Sequence, residues 1–299
     1  MMTSASFREV LDTLAHHDTQ EKIAETFSQE TKKDRDRMLA ALDSGQEGLV
    51  GDAQRGRNFD LNRYSDVLPF NQNRVQLEGK HDYINATHIT VPSEISSRKY
   101  IATQGPLAHS TSDFWRMVWE QGAVAVVMLA NPTEGGRTKC ARYWPSAPGG
   151  TLKLGGDLTV ALSSERVLEG CESVTVRTLV LQSGGAARTV TQLHFTEWPD
   201  HGVPQSPVPM LRLIKELRSR VSPSPATPVI VHCSAGVGRT GAFIVVDAAT
   251  AYLAEHDDYP GDLVVDTFKS LRRQRTMMVQ TLPQLMLCYQ TILFFLDEK

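Results

Sequence analysis

Residues 229–241 read Val-Ile-Val-His-Cys-Ser-Ala-Gly-Val-Gly-Arg-Thr-Gly, and this stretch decides the fold around it. Its first four residues predict a short buried strand, and the two inner glycines with the alanine allow a tight turn into a helix that begins near Arg239. In such a turn successive backbone N–H groups face inward and form a cradle for an anion at the helix N-terminus. A Walker loop would end in Gly-Lys-Ser or Gly-Lys-Thr, whereas this loop ends in Gly-Arg-Thr and begins with Cys233.

Cys233 and Arg239 give this loop a specific chemistry. An anion cradle at a helix N-terminus lowers the pKa of a cysteine thiol and favours the thiolate. The planar guanidinium of Arg239 can hold two phosphate oxygens at once. A thiolate beneath a tetrahedral oxyanion is arranged for in-line attack on phosphorus. The alternative interpretation is a glycine-rich turn with an incidental buried cysteine, but the match of the whole octet between a strand and a helix favours the phosphate loop.

The rest of the chain mixes predicted strands with predicted helices. Strands are predicted at 123–130, 157–162, 173–181 and 188–195, and helices at 112–121, 208–221, 261–275 and 283–296. No internal repeat is present. This order indicates an α/β or α+β architecture with one central sheet.

Residues 1–57 are predicted to be an N-terminal helical extension. Apolar residues recur at helical spacing from Phe7 to Leu14 and again from Met38 to Leu42, and four glycines between 45 and 56 then mark a loop or boundary. The mixed-charge run 31–37 is interpreted as a solvated helix face. The extension carries no chemistry that its sequence identifies.

Composition and charge exclude several classes of function. The 299 residues include 31 basic and 34 acidic side chains, a net charge of −3, so binding to nucleic acid is not expected. The four cysteines form no CxxC pair, which predicts neither a disulfide scaffold nor a zinc site and suits a reducing compartment. The N-terminus lacks an apolar signal segment, and the longest apolar run, 123–130, is far shorter than the ~20 residues of a membrane span. We therefore expect a cytoplasmic protein without a membrane span.

Residues 232–241 resemble the phosphate-binding loop of the tyrosine-specific protein tyrosine phosphatases. Further motifs follow in the order of that family over residues 58–299: Asn62–Val67 resembles its substrate-recognition loop, Asp82–Ala86, Thr103–Pro106, Phe114–Trp119 and Lys139–Pro145 its structural motifs, Trp198–Pro204 its mobile acid loop, and Gln280-Thr281 its water-positioning segment. The resemblance implies a single catalytic domain at 58–299, with a central, highly twisted mixed sheet flanked by helices.

The resemblance also implies the reaction, which is hydrolysis of phosphotyrosine in proteins with no metal and no cofactor. Cys233 is the expected nucleophile, which forms a phosphocysteine intermediate, and Arg239 is the expected phosphate clamp. Asp200 is expected to protonate the leaving tyrosine oxygen and then to take a proton from the attacking water. Backbone N–H groups of the loop are expected to bind the phosphate, through Ser234, Ala235, Gly236, Val237 and Gly238.

Supporting roles are expected for seven further residues. Thr240 places a hydroxyl near the sulfur, caps the following helix or does both, and His232 holds the thiolate or is a hydrogen-bonded core histidine. Gln280 positions the water, with Gln284 as a second candidate. The family pattern implies a salt bridge from Glu134 to Arg239, an anchoring role for Trp198 and a contact of Lys139 with the acid loop.

Substrate choice is expected to depend on Tyr64 and Asp66. The Tyr64 ring would form one wall of a slot that is deep enough for phosphotyrosine and too deep for phosphoserine, and Asp66 would accept hydrogen bonds from the peptide backbone. The alternatives are a half-buried core tyrosine and a turn residue. Arg272, Arg273 and Arg275 either hold a second anion or form an exposed helix face, and the face is favoured.

Three other functions remain open at this stage. A dual-specificity phosphatase would have a shallower pocket, and a phosphotyrosine-binding module of low activity would be expected to lack one of the three main catalytic residues. A different thiolate enzyme on a Cys-x5-Arg loop would lack the Trp-Pro-Asp segment. The expected partners are phosphotyrosine proteins or peptides, and a monomer is expected.

Overall fold

The computed structural model describes residues 6–44, 48–199, 202–224 and 226–299. Within these ranges four helices come first, strands follow with one helix among them, and a mainly helical block ends the chain. The strands are β1 (Arg74–Gln76), β2 (Tyr83–Thr90), β3 (Lys99–Thr103), β4 (Ala125–Met128), β5 (Thr133–Glu134), β6 (Arg137–Thr138), β7 (Thr151–Lys153), β8 (Thr159–Leu168), β9 (Cys171–Ser183), β10 (Ala186–Phe195) and β11 (Val229–His232). The helices are α1 (Phe7–Asp12), α2 (His17–Asp43), α3 (Gly51–Gln54), α4 (Gly56–Phe59), α5 (Thr111–Glu120), α6 (Val208–Arg220), α7 (Gly238–Glu255), α8 (Leu263–Gln274) and α9 (Leu282–Asp297), with a 3-10 turn at Ala108–Ser110.

In the described part of the chain, a mixed sheet of nine strands forms the centre, in the order β1-β2-β3-β11-β4-β10-β9-β8-β7. The strand β11 is parallel to both of its neighbours, so that Val231 lies between Ala102 of β3 and Val127 of β4. The four residues of β11 are buried, as expected for a central parallel strand covered on both faces. The carboxyl end of β11 therefore opens at the middle of one sheet edge.

Helices cover both faces of the sheet. Because side chains alternate along a strand, Val229 and Val231 pack into a core with α1, α6, α7, α8 and α9. Ile230 points the other way, into a core that contains Phe114 and Trp115 of α5. The helix α7 is buried along nearly its whole length, so the loop that joins it to β11 sits on a rigid base.

The predicted fold class is confirmed. The predicted strands and helices from residue 112 onward are also confirmed, with small shifts at their ends. The strand predicted at 157–162 is longer in the structure, where β8 continues to Leu168. The loop predicted between 45 and 56 is wrong in part, since α3 and the start of α4 lie there; its Gly45 is outside the described residues. The sequence also failed to indicate β1, β2 and β3 and the short strands β5, β6 and β7. Buried polar residues such as Asn85 and Thr87 interrupt the apolar pattern of β2, which hides it.

The N-terminal helices pack directly against the rest of the chain. Phe7 and Ile23 are buried in the same core as Tyr289 of α9, and the Phe7 N–H donates to the carbonyl of Tyr259 at 3.0 Å. The solvated face predicted for 31–37 is wrong for Asp34, which is only 3% exposed. The boundary at residue 57 stays a prediction. No helix of the described ranges is long and apolar enough to cross a membrane.

Candidate active site

A cavity of about 410 Å³ opens at the carboxyl end of β11. The loop from Cys233 to Gly238 forms its floor, and several of the predicted site residues line its walls. The lining residues are Tyr64, Asp66, Val67, Lys139, Gly202, Cys233, Ser234, Ala235, Gly238, Arg239, Gln280, Thr281 and Gln284. Residues as far apart in the sequence as Tyr64 and Gln284 thus line the same cavity.

The backbone of this loop has its carbonyl groups turned away from the cavity. Five consecutive carbonyl oxygens, those of residues 233–237, accept hydrogen bonds from groups outside the loop: His232 Nδ1, Gly105 N–H, two Arg275 nitrogens and the N–H groups of Gly241 and Val279. Because consecutive carbonyl and N–H groups point in opposite directions, the N–H groups are left to face inward. The N–H groups of Val237 and Thr240 accordingly interact with the Cys233 sulfur. The loop has the anion-binding form that its sequence predicts.

Close packing against β3 requires glycine at position 236. Gly236 has φ +72°, and a Cβ atom there would lie 2.1 Å from the carbonyl oxygen of Thr103. No side chain fits such a gap, and the positive φ is itself unfavourable for other residues. The glycine thus lets the loop lie directly on the sheet.

The thiol of Cys233 is buried and has a lowered pKa. Burial opposes its ionisation, but the Arg239 guanidinium, the Thr240 hydroxyl and the two inward N–H groups outweigh burial, so the pKa lies below its ordinary value. The Thr240 hydroxyl is buried and makes no hydrogen bond to a described nitrogen or oxygen, so the thiolate is the acceptor available to it. The capping role predicted for Thr240 is wrong, since its hydroxyl accepts no hydrogen bond from a described backbone N–H.

Glu134 holds Arg239 in a two-point ion pair. Its two carboxylate oxygens lie 2.7 Å from Nη1 and Nη2 of Arg239, and Nη1 also donates to the carbonyl of Leu129 at 2.9 Å. Both side chains are 7% exposed. The N–H of Asn131 fixes the carboxylate in turn, at 2.8 Å. The salt bridge that the family pattern implied is present, and it fixes the plane of the guanidinium.

His232 lies in the core as a neutral side chain. Burial lowers its pKa to about 4. His232 Nδ1 donates to the carbonyl of Cys233 at 3.0 Å, so Nε2 of the neutral ring is an acceptor and receives a hydrogen bond from the Tyr143 hydroxyl at 2.7 Å. This geometry favours the hydrogen-bonded core histidine of the two interpretations. It orients the backbone of Cys233 and puts no positive charge beside the sulfur.

Tyr64 forms a wall of the cavity and is tied to the phosphate loop. Its hydroxyl lies 2.9 Å from Ser234 Oγ, and Ser234 donates in turn to the carbonyl of Lys139 at 3.0 Å. Asp66 is exposed at the rim. The preceding Arg63 donates to the carbonyls of Gly105 and Pro106 at 2.8–3.1 Å, which anchors the recognition loop.

Gln280 and Gln284 lie on the opposite wall. Gln280 is exposed to the cavity, and its N–H donates to Gln284 Oε1 at 2.9 Å. Gln284 also forms a capping box with Thr281 at the start of α9. A Cβ atom on Gly238 would meet both glutamine side chains at about 3 Å, so this glycine admits them to the edge of the loop. The buried Gln284 therefore caps the N-terminus of α9, and Gln280 is the glutamine whose side chain is exposed in the cavity.

Asp200, the predicted general acid, lies outside the described residues, as does His201. The segment on either side of it is described. Trp198 is 2% exposed and packs against Phe195, with ring centroids 5.9 Å apart, and Gly202 lines the cavity. The described residues on either side of Asp200 thus include a buried tryptophan and a glycine at the cavity. Lys139 also lines the cavity, and its predicted contact with the acid loop stays a prediction.

The exposed helix face predicted for three arginines is wrong for two of them. Arg273 is exposed, but Arg272 is 3% and Arg275 0% exposed. Arg275 donates to the carbonyls of Ala235 and Gly236, both at 3.0 Å. Sequence reasoning missed this support of the loop because arginines near the end of a helix are usually solvated.

Comparisons with known proteins agree with the motifs. The family model described as protein-tyrosine phosphatase matches residues 58–294. The chain is 39% identical over 251 residues to human tyrosine-protein phosphatase non-receptor type 4, which covers 82% of this chain and 26% of that protein. It is 38% identical over 252 residues to the mouse non-receptor type 13 enzyme, covering 84% and 10%, and 40% identical over 256 residues to human receptor-type tyrosine-protein phosphatase C, covering 81% and 18%. The chain thus spans about a quarter or less of the length of these relatives.

Replacement of Thr240 tests the electrostatics of the loop. Thr240→Val keeps the side-chain shape and removes the hydroxyl that stabilises the thiolate, so the pKa of Cys233 should rise. The pH dependence of Cys233 alkylation by iodoacetamide should therefore shift to higher pH. The matched variant Thr240→Ser keeps the hydroxyl and should titrate like the unchanged protein. If the pH dependence of Cys233 alkylation is the same in the valine and serine variants, the Thr240 hydroxyl does not stabilise the thiolate.

Proposed function

The chain belongs to the protein-tyrosine phosphatase family, and we propose that it hydrolyses phosphotyrosine in proteins through a phosphocysteine intermediate. The observation that carries this proposal is the loop around Cys233. Its carbonyls face outward, its thiol has a lowered pKa, and Arg239 is held beside the sulfur by Glu134. A phosphoric monoester dianion is the tetrahedral ligand that such a cradle of N–H groups and one guanidinium suits.

In the first step the Cys233 thiolate attacks the phosphorus of bound phosphotyrosine. An S–P bond forms, the bond from phosphorus to the tyrosine oxygen breaks, and Asp200 supplies a proton to that oxygen. Arg239 and the loop N–H groups bind the equatorial oxygens, where charge is concentrated in phosphoryl transfer. The position of Asp200 in the sequence, between the buried Trp198 and Gly202, which lines the cavity, supports its role as the acid.

In the second step water attacks the phosphorus of phosphocysteine. The ionised Asp200 takes a proton from the water, the S–P bond breaks, and its electron pair returns to the sulfur as a thiolate. The Thr240 hydroxyl and Arg239 stabilise that thiolate, as they do in the resting protein. Gln280 orients the water, a role supported by its exposure to the cavity.

Substrate choice follows from the depth of the cavity. The sulfur lies on the floor, and the Tyr64 ring forms a wall that the Ser234 hydroxyl holds in place. A phosphotyrosine ring can pack against Tyr64 while its phosphate reaches the loop, and aromatic pairs of this kind contribute about 0.5–1.5 kcal/mol beyond burial. The side chain of phosphoserine is too short to bring its phosphate to the sulfur. Asp66 at the rim is placed to accept hydrogen bonds from the substrate backbone.

We also propose that the protein acts in signal transduction in the cytoplasm. The four cysteines Cys140, Cys171, Cys233 and Cys288 are free, and a thiolate of low pKa is readily oxidised, so a reducing compartment best maintains it. Phosphotyrosine proteins are the proposed partners.

Turnover of matched phosphopeptides tests the proposed activity. Phosphotyrosine peptides should be hydrolysed in the presence of EDTA, and phosphoserine peptides of the same sequence should not, because only the longer side chain reaches Cys233. Tyr64→Ala should raise the KM for phosphotyrosine peptides about tenfold through lost binding, whereas Tyr64→Phe keeps the ring and should change KM far less. Equal kcat/KM for the two peptide types would instead indicate a dual-specificity phosphatase, and loss of activity in EDTA would indicate a metallophosphatase.

Replacement of the acid tests the proposed proton transfer. Asp200→Ala should lower the rate for phosphotyrosine substrates by a factor of about 10² to 10⁴, the usual contribution of a positioned general acid. The loss should shrink for aryl phosphates whose leaving groups are stable anions, because these need less protonation. The exposed neighbour Glu197 provides the control, since Glu197→Ala should leave the rate unchanged. A loss of equal size for every leaving group would contradict the assignment of Asp200.

A further inference from the structure

A buried carboxylate of α2 reaches the turn that carries Gln280. Asp34 is 3% exposed, although its helix neighbours Arg35 and Asp36 are exposed. Its Oδ2 accepts a hydrogen bond from the N–H of Met277 at 2.6 Å and another from the hydroxyl of Thr276 at 3.1 Å. The helix α2 thus makes a polar contact with the turn between α8 and α9.

This turn has an unfavourable backbone conformation. Met277 and Val279 both have φ +57°, a region that residues other than glycine seldom adopt and that is rarest for β-branched side chains. Arg272 of α8 also holds the turn, since it donates to the carbonyls of Met278 and Val279 at 3.0 and 2.8 Å. A conformation of this kind persists only where surrounding contacts enforce it.

The turn is coupled to the phosphate loop at its far end. The N–H of Val279 donates to the carbonyl of Val237 at 3.2 Å. A Cβ atom on Gly241 would lie 2.4 Å from the Val279 nitrogen, and one on Gly238 would lie 3.1 Å from Cβ of Gln280. The position of Gln280 over the cavity therefore depends on the conformation of residues 276–279.

Two arginines bind Asp34 and the turn into one cluster. Nη2 of Arg37 lies 2.6 Å from Asp34 Oδ1 and donates to the carbonyl of Arg272, also at 2.6 Å. The guanidinium of Arg272 donates to the hydroxyl of Thr31 at 2.8 Å and lies 5.0 Å from the centre of the Phe27 ring. These contacts offset the burial of the Asp34 charge and hold α2 in register with the turn.

We propose that Asp34 is a positioning residue for Gln280 and so controls the second chemical step. The proposal rests on the proposed function. In that step an oxygen of water bonds to the phosphorus of phosphocysteine, one water proton passes to the Asp200 carboxylate, and the S–P bond breaks with its electrons returning to Cys233. Without the acceptor at Asp34 the turn relaxes from its left-handed conformation, Gln280 moves, and the water loses its orientation. The first step needs no such water, and the Val237 carbonyl keeps its shorter hydrogen bond from the Gly241 N–H at 2.8 Å, so the phosphate loop and the first step are retained.

Kinetics with p-nitrophenyl phosphate separate the two steps, since nitrophenolate leaves in the first. Asp34→Ala should lower kcat by a factor of about 10, because displacement of the attacking water by less than about 1 Å has an effect of this size. KM should fall in parallel, so that kcat/KM changes by less than about twofold, because kcat/KM reports only the steps up to formation of phosphocysteine. A rapid burst of one nitrophenolate per enzyme should precede the slow phase. Asp36→Ala, an exposed acid on the same helix, is the matched control and should behave like the unchanged protein.

A second readout follows the competing nucleophile. With ethylene glycol present, Asp34→Ala should transfer a larger fraction of phosphate to the glycol than the unchanged protein does, because water has lost its positional advantage. Asp34→Asn keeps the side-chain volume and should show the same changes at smaller size. The asparagine variant replaces the alanine variant if the latter does not fold.

A fall in kcat/KM together with kcat, or unchanged kinetics in both Asp34 variants, would overturn the positioning role and leave the proposed function intact. No turnover and no burst in the unchanged protein would overturn the proposed function, and the role of Asp34 with it.

Discussion

Arg275 donates to the carbonyl oxygens of Ala235 and Gly236 from a site with no solvent exposure. Its other contacts are Asn85 Oδ1 at 2.7 Å and Thr87 Oγ1 at 2.9 Å, both on β2. Burial lowers the pKa of Arg275 to about 10, so the guanidinium stays charged at neutral pH and binds these oxygens strongly. By holding two carbonyls outward it turns the adjacent N–H groups toward the cavity. The anion cradle, and the thiolate within it, depend on this contact.

The thiolate itself results from a balance of opposing effects. Burial of Cys233 favours the neutral thiol, while the charge of Arg239 and the donors around the sulfur favour the anion. Glu134 takes part of that positive charge in its ion pair, yet it fixes the guanidinium in the plane where two phosphate oxygens can meet it. The ion pair thus orients the guanidinium but weakens the positive potential at the sulfur. The pKa of Cys233 nevertheless lies below its ordinary value.

Sequence alone predicted the parts of the site whose structure is local. The strand, turn and helix around Cys233 follow from thirteen consecutive residues, and the positions of Tyr64 and Gln280 followed from motifs of the resembled family. Sequence did not predict the roles of Arg275 and Asp34. Asp34 lies on α2 and Arg275 directly follows α8, and charged residues at such positions are usually exposed to solvent. The backbone groups that they bind in the loop and the turn lie 39 or more residues away in the chain. Only the packing of α2 and α8 against the loops determines that they are buried.

A covalent bond between Cys233 and phosphorus is the central claim, and trapping that bond tests it most directly. The protein should be mixed with a phosphotyrosine peptide that carries labelled phosphate, denatured within milliseconds, digested and mapped by mass. The account predicts labelled phosphate, at most one per chain, on the peptide that contains Cys233. It predicts none in Cys233→Ser, which retains the N–H cradle and Arg239 and should still bind the phosphopeptide. Label on a different residue, or full turnover by the serine variant, would contradict it.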